Sequence, residues 1–79
     1  MYTVYVLYSR KVDKIYVDYT SDLKQRLLSH NELAKKGWTI NFHPWELIHR
    51  EKFTEKKLAM KREIELKFHR GRDFIRKLI

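Results

Sequence analysis

The sequence predicts an α+β domain, a small three-stranded antiparallel sheet with flanking helices. Two runs rich in β-branched and aromatic residues, 2–9 and 14–19, are separated by only four polar residues, which is typical of a β-hairpin. Leucines at helical spacing follow the hairpin, and two further helix-like segments follow a third strand-like run. The 79 residues contain no linker, repeat or low-complexity tract, so we expect one domain over residues 1–79.

The turn fixes the register of the hairpin. A four-residue turn pairs Ser9 with Lys14, and every other pair follows from this one because the strands are antiparallel. One face of the hairpin is then apolar and is expected to form the core: Tyr2, Val4, Val6, Tyr8, Ile15, Val17 and Tyr19. The other face is mixed and brings together Tyr5, Tyr16 and Asp18.

The first helix is expected to begin just after the hairpin. Thr20 or Ser21 provides its N-cap, and Asp22 lies in the first turn, where the helix dipole favours a negative charge. Leucines at helical spacing indicate the buried stripe of a helix that continues to about residue 33, namely Leu23, Leu27 and Leu28. Arg26 and His30 are four residues apart and therefore share one side of this helix.

A third strand and a second helix are predicted next. Residues 37–44 form a loop, Pro44 marks its boundary, and residues 45–53 form the strand. Thr54 is the expected N-cap of a helix over residues 54–68. One side of this helix carries an apolar stripe bordered by a carboxylate, formed by Ala59, Leu66 and Glu63.

The last predicted element is a short amphipathic helix over residues 72–79. Gly71 interrupts the helical pattern before it, since glycine is a poor helix former. The apolar side of this helix is expected to face the core through Phe74, Ile75, Leu78 and Ile79. The predicted order is therefore β-β-α-β-α-α.

Composition excludes several kinds of site. The chain has no cysteine, so it forms neither disulfides nor thiolate zinc sites, and His43, His49 and His69 lack metal-ligand spacing. No apolar stretch approaches the ~20 residues that cross a bilayer, and the first residues place the apolar run before the positive charge, the reverse of a secretory signal. We therefore expect a cytoplasmic protein.

The charge balance points to a polyanionic partner. Eighteen Lys and Arg residues against ten Asp and Glu residues leave a net charge of +8, which favours nucleic acid. A solvated basic surface and an anionic membrane surface are the alternatives. The last two helices supply the candidates for a DNA-facing surface, some of which must be merely solvated: Lys56, Lys57, Lys61, Arg62, Lys67, Arg70, Arg72 and Arg76.

The order of short motifs resembles a known superfamily. The chain carries VYVLYS, then YVDYTSDLKQR, then HN, then Thr39 with Pro44 and Trp45, and finally MKREIELK and GRDFI. Together these resemble the GIY-YIG nuclease superfamily over nearly the whole chain. The similarity is greatest to its small stand-alone branch, which is related to the incision subunit of bacterial nucleotide-excision repair (UvrC-like).

The resemblance implies a fold, a reaction and a set of site residues. The tyrosines of the two name-giving motifs fall on Tyr5 and Tyr16, the arginine of the following helix on Arg26, and its common companion on His30. The acidic metal ligand falls on Glu63. In the superfamily these side chains surround one divalent metal, usually Mg²⁺ and here expected as Mg²⁺ or Mn²⁺, and hydrolyse a DNA phosphodiester.

The residue types suit phosphodiester hydrolysis, although each has a plainer interpretation. A carboxylate-held hard cation and a forked arginine stabilise charge on the phosphoryl oxygens. Tyrosine is an unusual general base, because its pKa near 10 leaves it neutral at pH 7, so His30 is the rival for proton transfer. Taken alone, Tyr5 and Tyr16 are typical packing residues, Arg26 a surface arginine, and Glu63 one of several similar glutamates.

Asp18 is the main departure from the pattern. The second motif of the superfamily ends in glycine, which permits an unusual backbone angle or a close approach; Thr3 likewise replaces the glycine of the first motif. A carboxylate at this position either repels the scissile phosphate and neutralises Arg26, or serves as a second metal ligand. We expect the former slightly more, and hence reduced activity.

The sequence thus predicts a metal-dependent DNA endonuclease that acts in repair or recombination. The alternative is a nucleic-acid-binding module whose catalysis is weakened by Asp18, and a third option is an accessory subunit that docks a protein partner. DNA is the expected partner, RNA remains open, a homodimer is possible in principle, and no membrane partner is expected.

Overall fold

The computed structural model describes residues 1–28 and 45–79, and it has the predicted order of elements. These are β1 (Tyr2–Ser9), β2 (Lys14–Thr20), α1 (Leu23–Leu28), β3 (Glu46–Phe53), α2 (Lys56–Lys67) and α3 (His69–Arg76). The predicted continuation of the first helix, His30 and the loop that includes Pro44 lie outside the described residues. Within the described part, no helix has the length and apolar character needed to cross a bilayer.

The sheet is antiparallel throughout, and β1 is its central strand. The strand order is β2-β1-β3. Ser9 pairs with Lys14, so the predicted hairpin register is confirmed. The turn that joins the strands ends at Asp13, whose φ of 52° is a left-handed conformation that aspartate tolerates.

The predicted core face of the hairpin is confirmed. Val4, Val6 and Val17 are buried on it, and they pack against the buried side chains of α2 and α3, which are Ala59, Leu66 and Ile75. Because side chains alternate along a strand, this arrangement turns Tyr5, Tyr16 and Asp18 to the opposite face of the sheet.

The opposite face is more apolar than predicted, since it buries a second cluster. Tyr5 and Leu7 are fully buried there beside Trp45, and Tyr16, Leu23 and Leu27 pack against them. A bulge between Val6 and Leu7 shifts the pairing with β3, so that Leu47 lies opposite Leu7. The sheet is therefore covered on both faces, by α1 on one side and by α2 with α3 on the other.

Both predicted helix starts need correction. Neither Thr20 nor Ser21 caps α1; Asp22 does, because its Oδ1 accepts a hydrogen bond from the Gln25 backbone N–H at 3.1 Å. Thr54 does not cap α2, whose N-cap is Glu55 without a side-chain hydrogen bond. The prediction missed both because several polar residues precede each helix and any one of them can cap it.

The end of the chain also differs from the prediction. The helices separate at Phe68, and Gly71 lies inside α3. A Cβ at Gly71 would lie 2.2 Å from the Glu65 carbonyl oxygen, so the glycine serves the close approach of two helices. Of the four side chains expected to face inward only Ile75 is buried. Phe74 is exposed within α3, and Leu78 and Ile79 are exposed beyond its end at Arg76.

Candidate active site

The hairpin register places three polar side chains of the site next to one another. Asp18 lies directly opposite Tyr5 across β1 and β2, and Tyr16 precedes Asp18 by two residues on the same face. The Tyr5 and Tyr16 ring centroids are 6.4 Å apart, and the Tyr16 ring is 6.1 Å from that of Trp45. The two tyrosines thus share an apolar wall, with a carboxylate at its edge.

Arg26 reaches this group from α1. Leu23 and Leu27 pack against the Tyr5 cluster, and this contact turns the neighbouring Arg26 toward β2. Its Nη2 donates a hydrogen bond to Asp18 Oδ2 at 2.9 Å, and its Nε donates to the Tyr5 hydroxyl oxygen at 3.4 Å. The structure therefore brings together three of the five predicted site residues.

Three donors hold the Asp18 carboxylate. Its Oδ2 accepts hydrogen bonds from Arg26 and, at 3.0 Å, from the Tyr16 hydroxyl, and its Oδ1 accepts the Tyr19 backbone N–H at 2.8 Å. Asp13 is the only described non-glycine residue with a positive φ, so the backbone at position 18 is not strained. The aspartate therefore acts on the site through its charge and not through the backbone.

Both tyrosines of the site are neutral phenols. Burial raises the pKa of Tyr5, and the charges of Asp18 and Glu63 add to the rise, against the lowering effect of Arg26. Burial also raises the pKa of Tyr16, and the charge and hydrogen bond of Asp18 raise it further. A tyrosinate base is thus disfavoured at neutral pH, and both hydroxyl groups are suited to donate hydrogen bonds.

Glu63 lies on α2, and its negative charge contributes to the raised pKa of Tyr5. It shares one side of the helix with Ala59 and Leu66, as predicted, and its side chain is only 14% exposed. Its Oε1 forms an ion pair with Lys67, one turn further along. A cavity of about 310 Å³ is lined by both Lys67 and Tyr16, so this ion pair lies beside the tyrosine wall.

The donor set around Glu63 suits a hydrated hard cation. The described residues contain no cluster of three or more His, Cys, Asp or Glu side chains, so protein ligands alone would not fill a coordination sphere. Mg²⁺ retains several waters and is commonly held by one or two carboxylates. The largely buried Glu63 carboxylate fits that requirement, provided that the cation displaces the Lys67 ammonium.

The remaining predicted residues have mixed outcomes. His30 lies outside the described residues. Three of the basic side chains expected to face DNA are engaged within the protein: Arg62 with Glu51 and Glu65, Lys67 with Glu63, and Arg76 with Asp13. His49 Nε2 contacts Glu51 Oε2 at 2.7 Å.

Sequence reasoning missed one residue beside the site, Arg50. It lies on β3 directly opposite Tyr5, on the side away from Asp18, and its side chain is exposed. The sequence predicts β3 but not its register with β1, because β1 and β3 are separated by the whole first half of the chain. Alternation along β3 shows only that Arg50 and Lys52 share a face.

Comparison with known proteins agrees with this geometry. The profile of the GIY-YIG catalytic domain matches residues 1–76. A UPF0213 protein of Natronomonas pharaonis is 38% identical over 64 residues, which cover 81% of this chain and 74% of the relative. A UPF0213 protein of Staphylococcus saprophyticus is 33% identical over 57 residues, covering 72% and 70%. No solved structure gives a significant match. The chain belongs to the GIY-YIG catalytic domain family.

Proposed function

We propose that this protein is a metal-dependent DNA endonuclease whose activity Asp18 restrains. The observation that carries the proposal is the convergence of Tyr5, Tyr16 and Arg26 from three separate elements, with Arg26 hydrogen-bonded to the Tyr5 hydroxyl at 3.4 Å. Membership of a nuclease superfamily supports the reaction class. The net charge of +8 supports a nucleic-acid substrate.

The side chains have complementary roles in this proposal. Arg26 binds the scissile phosphate, because its planar guanidinium can donate two hydrogen bonds to two phosphate oxygens. The neutral Tyr5 and Tyr16 hydroxyls orient the phosphate or the attacking water, since their raised pKa values keep their protons on. His30, at the position that commonly accompanies this arginine in the family, is a supporting acid, base or orienting group, because its charge changes near neutral pH.

The metal belongs at Glu63. A bound Mg²⁺ or Mn²⁺ ion stabilises negative charge on the phosphoryl oxygens and lowers the pKa of a bound water. The Glu63 carboxylate would hold the ion in place of Lys67, its present ion-pair partner. Lys67, which lines one cavity with Tyr16, would then lose this ion pair.

Asp18 restrains the reaction because it occupies the donors that the phosphate needs. The Arg26 guanidinium and the Tyr16 hydroxyl both donate to Asp18 Oδ2. A substrate phosphate has to compete with this carboxylate for Arg26, and it meets a like charge when it does so. The protein therefore starts from a self-paired site, and activity is reduced and not abolished.

The ion pairs also favour a second candidate, a module that binds nucleic acid without cutting it. The Asp18–Arg26 pair and the Glu63–Lys67 pair together neutralise the phosphate ligand and the metal ligand. If neither ion pair opens when DNA binds, the protein still binds DNA through its fold and net charge, but it does not cleave the DNA. This candidate predicts salt-sensitive binding and no cleavage under any metal condition.

Nicking of supercoiled plasmid with Mg²⁺ or Mn²⁺ tests the proposal. We expect the wild type to nick and Glu63→Gln to lose at least about a hundredfold in rate, because a metal ion contributes several kcal/mol to such reactions. Glu65→Gln is the matched control: it lies on the same helix with its side chain exposed, and it should nick like the wild type. Equal rates for wild type and Glu63→Gln would contradict the proposal.

The proposal extends to the cellular role and the substrate preference of the protein. The resemblance to the excision-repair branch supports a role in DNA repair or recombination, and the absence of cysteine is compatible with work in the cytoplasm. The described part of the domain consists of the sheet and the helices that cover it, so it offers little additional structure for sequence-specific recognition. We therefore propose structure-specific or non-specific nicking as the activity, alone or with a protein partner.

A further inference from the structure

A groove of about 390 Å³ runs between α1 and β3, on the face of the sheet that carries Tyr5. We call it the α1–β3 groove. Three basic side chains line it, Lys24 from α1 and Arg50 and Lys52 from β3. Its floor includes Thr3, Leu23 and Leu27.

The sheet register joins this groove to the candidate active site. Arg50 pairs with Tyr5, which pairs in turn with Asp18, so these three residues form one row across the sheet. Lys52 pairs with Thr3 in the next row on the same face. Neighbouring strands lie about 4.8 Å apart, so Arg50 and Asp18 flank Tyr5 at one strand's distance on either side.

No ion pair within residues 1–28 and 45–79 compensates the positive charge of the groove. Lys24, Arg50 and Lys52 are exposed, and none of them forms an ion pair with another residue in 1–28 or 45–79. The two acidic residues of β3 are engaged elsewhere: Glu46 pairs with Arg10, and Glu51 pairs with His49 and Arg62. The charge of the groove is therefore available to an anionic partner.

The opposite surface is organised differently. On α2 and α3, Arg62, Lys67 and Arg76 are held in ion pairs, and these helices cover the sheet face that turns away from Tyr5. Lys56, Lys57 and Lys61 are exposed at the start of α2. A DNA strand bound there would lie across the sheet from the tyrosine wall.

We propose that DNA approaches the site along the α1–β3 groove, where Lys24, Arg50 and Lys52 bind consecutive backbone phosphates. This inference rests on the proposed function, since it assigns the substrate-binding surface of the same site. The leucine floor suits the less polar deoxyribose between phosphates, and none of the described residues that line the groove is aromatic, so they offer no ring for bases to stack on. Binding there is therefore independent of base sequence.

The test compares two triple variants that remove the same charge. One variant carries Lys24→Gln, Arg50→Gln and Lys52→Gln in the groove, and the other carries Lys56→Gln, Lys57→Gln and Lys61→Gln on α2. All six side chains are exposed, so both proteins should fold, which far-UV circular dichroism checks. Binding of a short random-sequence DNA duplex is followed by fluorescence anisotropy with EDTA present, so that no cleavage contributes, between about 50 and 200 mM salt.

We expect the groove variant to lose affinity by at least about tenfold. The slope of log K against log salt should become shallower by about 0.9 for each phosphate contact removed. The α2 variant should stay within about threefold of the wild type with nearly its slope, since it loses only long-range attraction. Equal losses in the two variants, or a larger loss in the α2 variant, would overturn the inference and leave the proposed function standing.

A second measurement uses the unaltered protein. Titration of the same duplex into ¹⁵N-labelled wild type should shift the amide resonances of Lys24, Arg50 and Lys52 most strongly. Shifts confined to α2 and α3 would overturn the assignment of the groove while still showing DNA binding. No binding by the wild type would overturn both the groove and the proposed substrate.

Discussion

Asp18 sets the electrostatics of the candidate site. Its carboxylate accepts hydrogen bonds from Arg26, Tyr16 and the Tyr19 backbone, which ties β2 to α1. Burial raises the pKa of Tyr16, and the contact with Asp18 raises it further, because a phenolate there would face a carboxylate. A single side chain thus engages Arg26, the arginine that we propose binds phosphate, and opposes ionisation of Tyr16.

Removing this charge should lower the pKa of Tyr16. We expect Asp18→Asn to do so, since it removes the charge and keeps the shape of the side chain. Tyrosines labelled with ¹³C at Cζ, titrated by NMR, measure each phenol separately. Asp73→Asn is the control, being an exposed aspartate on α3. An unchanged Tyr16 pKa in Asp18→Asn would show that burial alone accounts for the rise.

Much of this residue-level arrangement follows from the sequence. The four-residue turn between Ser9 and Lys14 is enough to place Tyr5, Tyr16 and Asp18 on one face, and the structure has that register. The burial of Tyr5 could not be predicted in the same way, because Trp45 and Leu27, which pack in the same cluster, come from distant parts of the chain. The ion pair between Lys67 and Glu63 could not be predicted from the sequence either, since several basic residues flank that glutamate.

At the scale of elements, α2 and α3 meet more closely than the sequence suggests. Gly71 was predicted to interrupt the helical pattern, yet it lies within α3. The residue is a glycine because the backbone of α2 leaves no space for a Cβ. Leu66 of α2 and Ile75 of α3 are fully buried on either side of this contact. Glycine is needed here for lack of space and not for backbone freedom.

Gly71→Ala should therefore separate the two helices. Its Cβ would lie 2.2 Å from the Glu65 carbonyl oxygen and 2.4 Å from Leu66 Cα, and backbone atoms cannot rotate away. Overpacking of this kind costs about 1–3 kcal/mol, and each kcal/mol lowers Tm by about 4–8 °C in a domain of this size. Thermal unfolding measures the loss. The neighbouring exposed Arg70→Ala should leave Tm nearly unchanged, and an unchanged Tm in Gly71→Ala would refute the close contact.

A second link between elements joins β3 to α2. Glu51 accepts two hydrogen bonds from Arg62 Nε, at 3.1 and 3.0 Å, and its Oε2 contacts His49 Nε2 at 2.7 Å. Burial alone would raise the pKa of Glu51, but the hydrogen bonds from His49 and Arg62 outweigh it, so that the pKa lies below its ordinary value of 4.5. The ionised carboxylate is thus the form that the fold stabilises.

The contribution of Glu51 to the free energy of unfolding should disappear in acid. Because its folded-state pKa is lowered, the stabilisation is complete above about pH 4.5 and is lost as the pH falls through the folded-state value. Urea unfolding of Glu51→Gln should show a lower stability than the wild type at pH 7 and a smaller difference at pH 3. Glu55→Gln, at an exposed position, serves as control. A difference that is the same at both pH values would rule out the linkage.

At the scale of the whole molecule, the two faces of the sheet have different roles. The Val4 and Val6 face is closed by α2 and α3, and it provides the core on which the fold rests. The Tyr5 face combines a second apolar cluster with polar side chains and a groove lined by cations that form no ion pair within the described residues. The two tyrosines, Arg26 and the proposed DNA track therefore share this face, whereas Glu63 lies on α2.

The sequence alone predicts the family and the net charge, but not where the charge lies. Lysines and arginines are spread along the chain, and only the three-dimensional pairing separates the engaged ones from the free ones. The last two helices were predicted as the DNA surface because eight of the eighteen Lys and Arg residues lie on them. Arg50 and Lys52 gain their position from pairing between β1 and β3, a long-range contact that local patterns do not encode.

The nicking rate of Asp18→Gly, compared with that of the wild type, tests most directly whether Asp18 restrains the activity. Single-turnover nicking of supercoiled plasmid with Mg²⁺ should accelerate about tenfold, because release of a charged hydrogen bond at Arg26 is worth about 1.4 kcal/mol. Asp18→Ala should accelerate similarly, since it removes the carboxylate without adding the backbone freedom of glycine. If both variants nick no faster than the wild type, or nick more slowly, Asp18 supports the site and the claim of restraint is wrong.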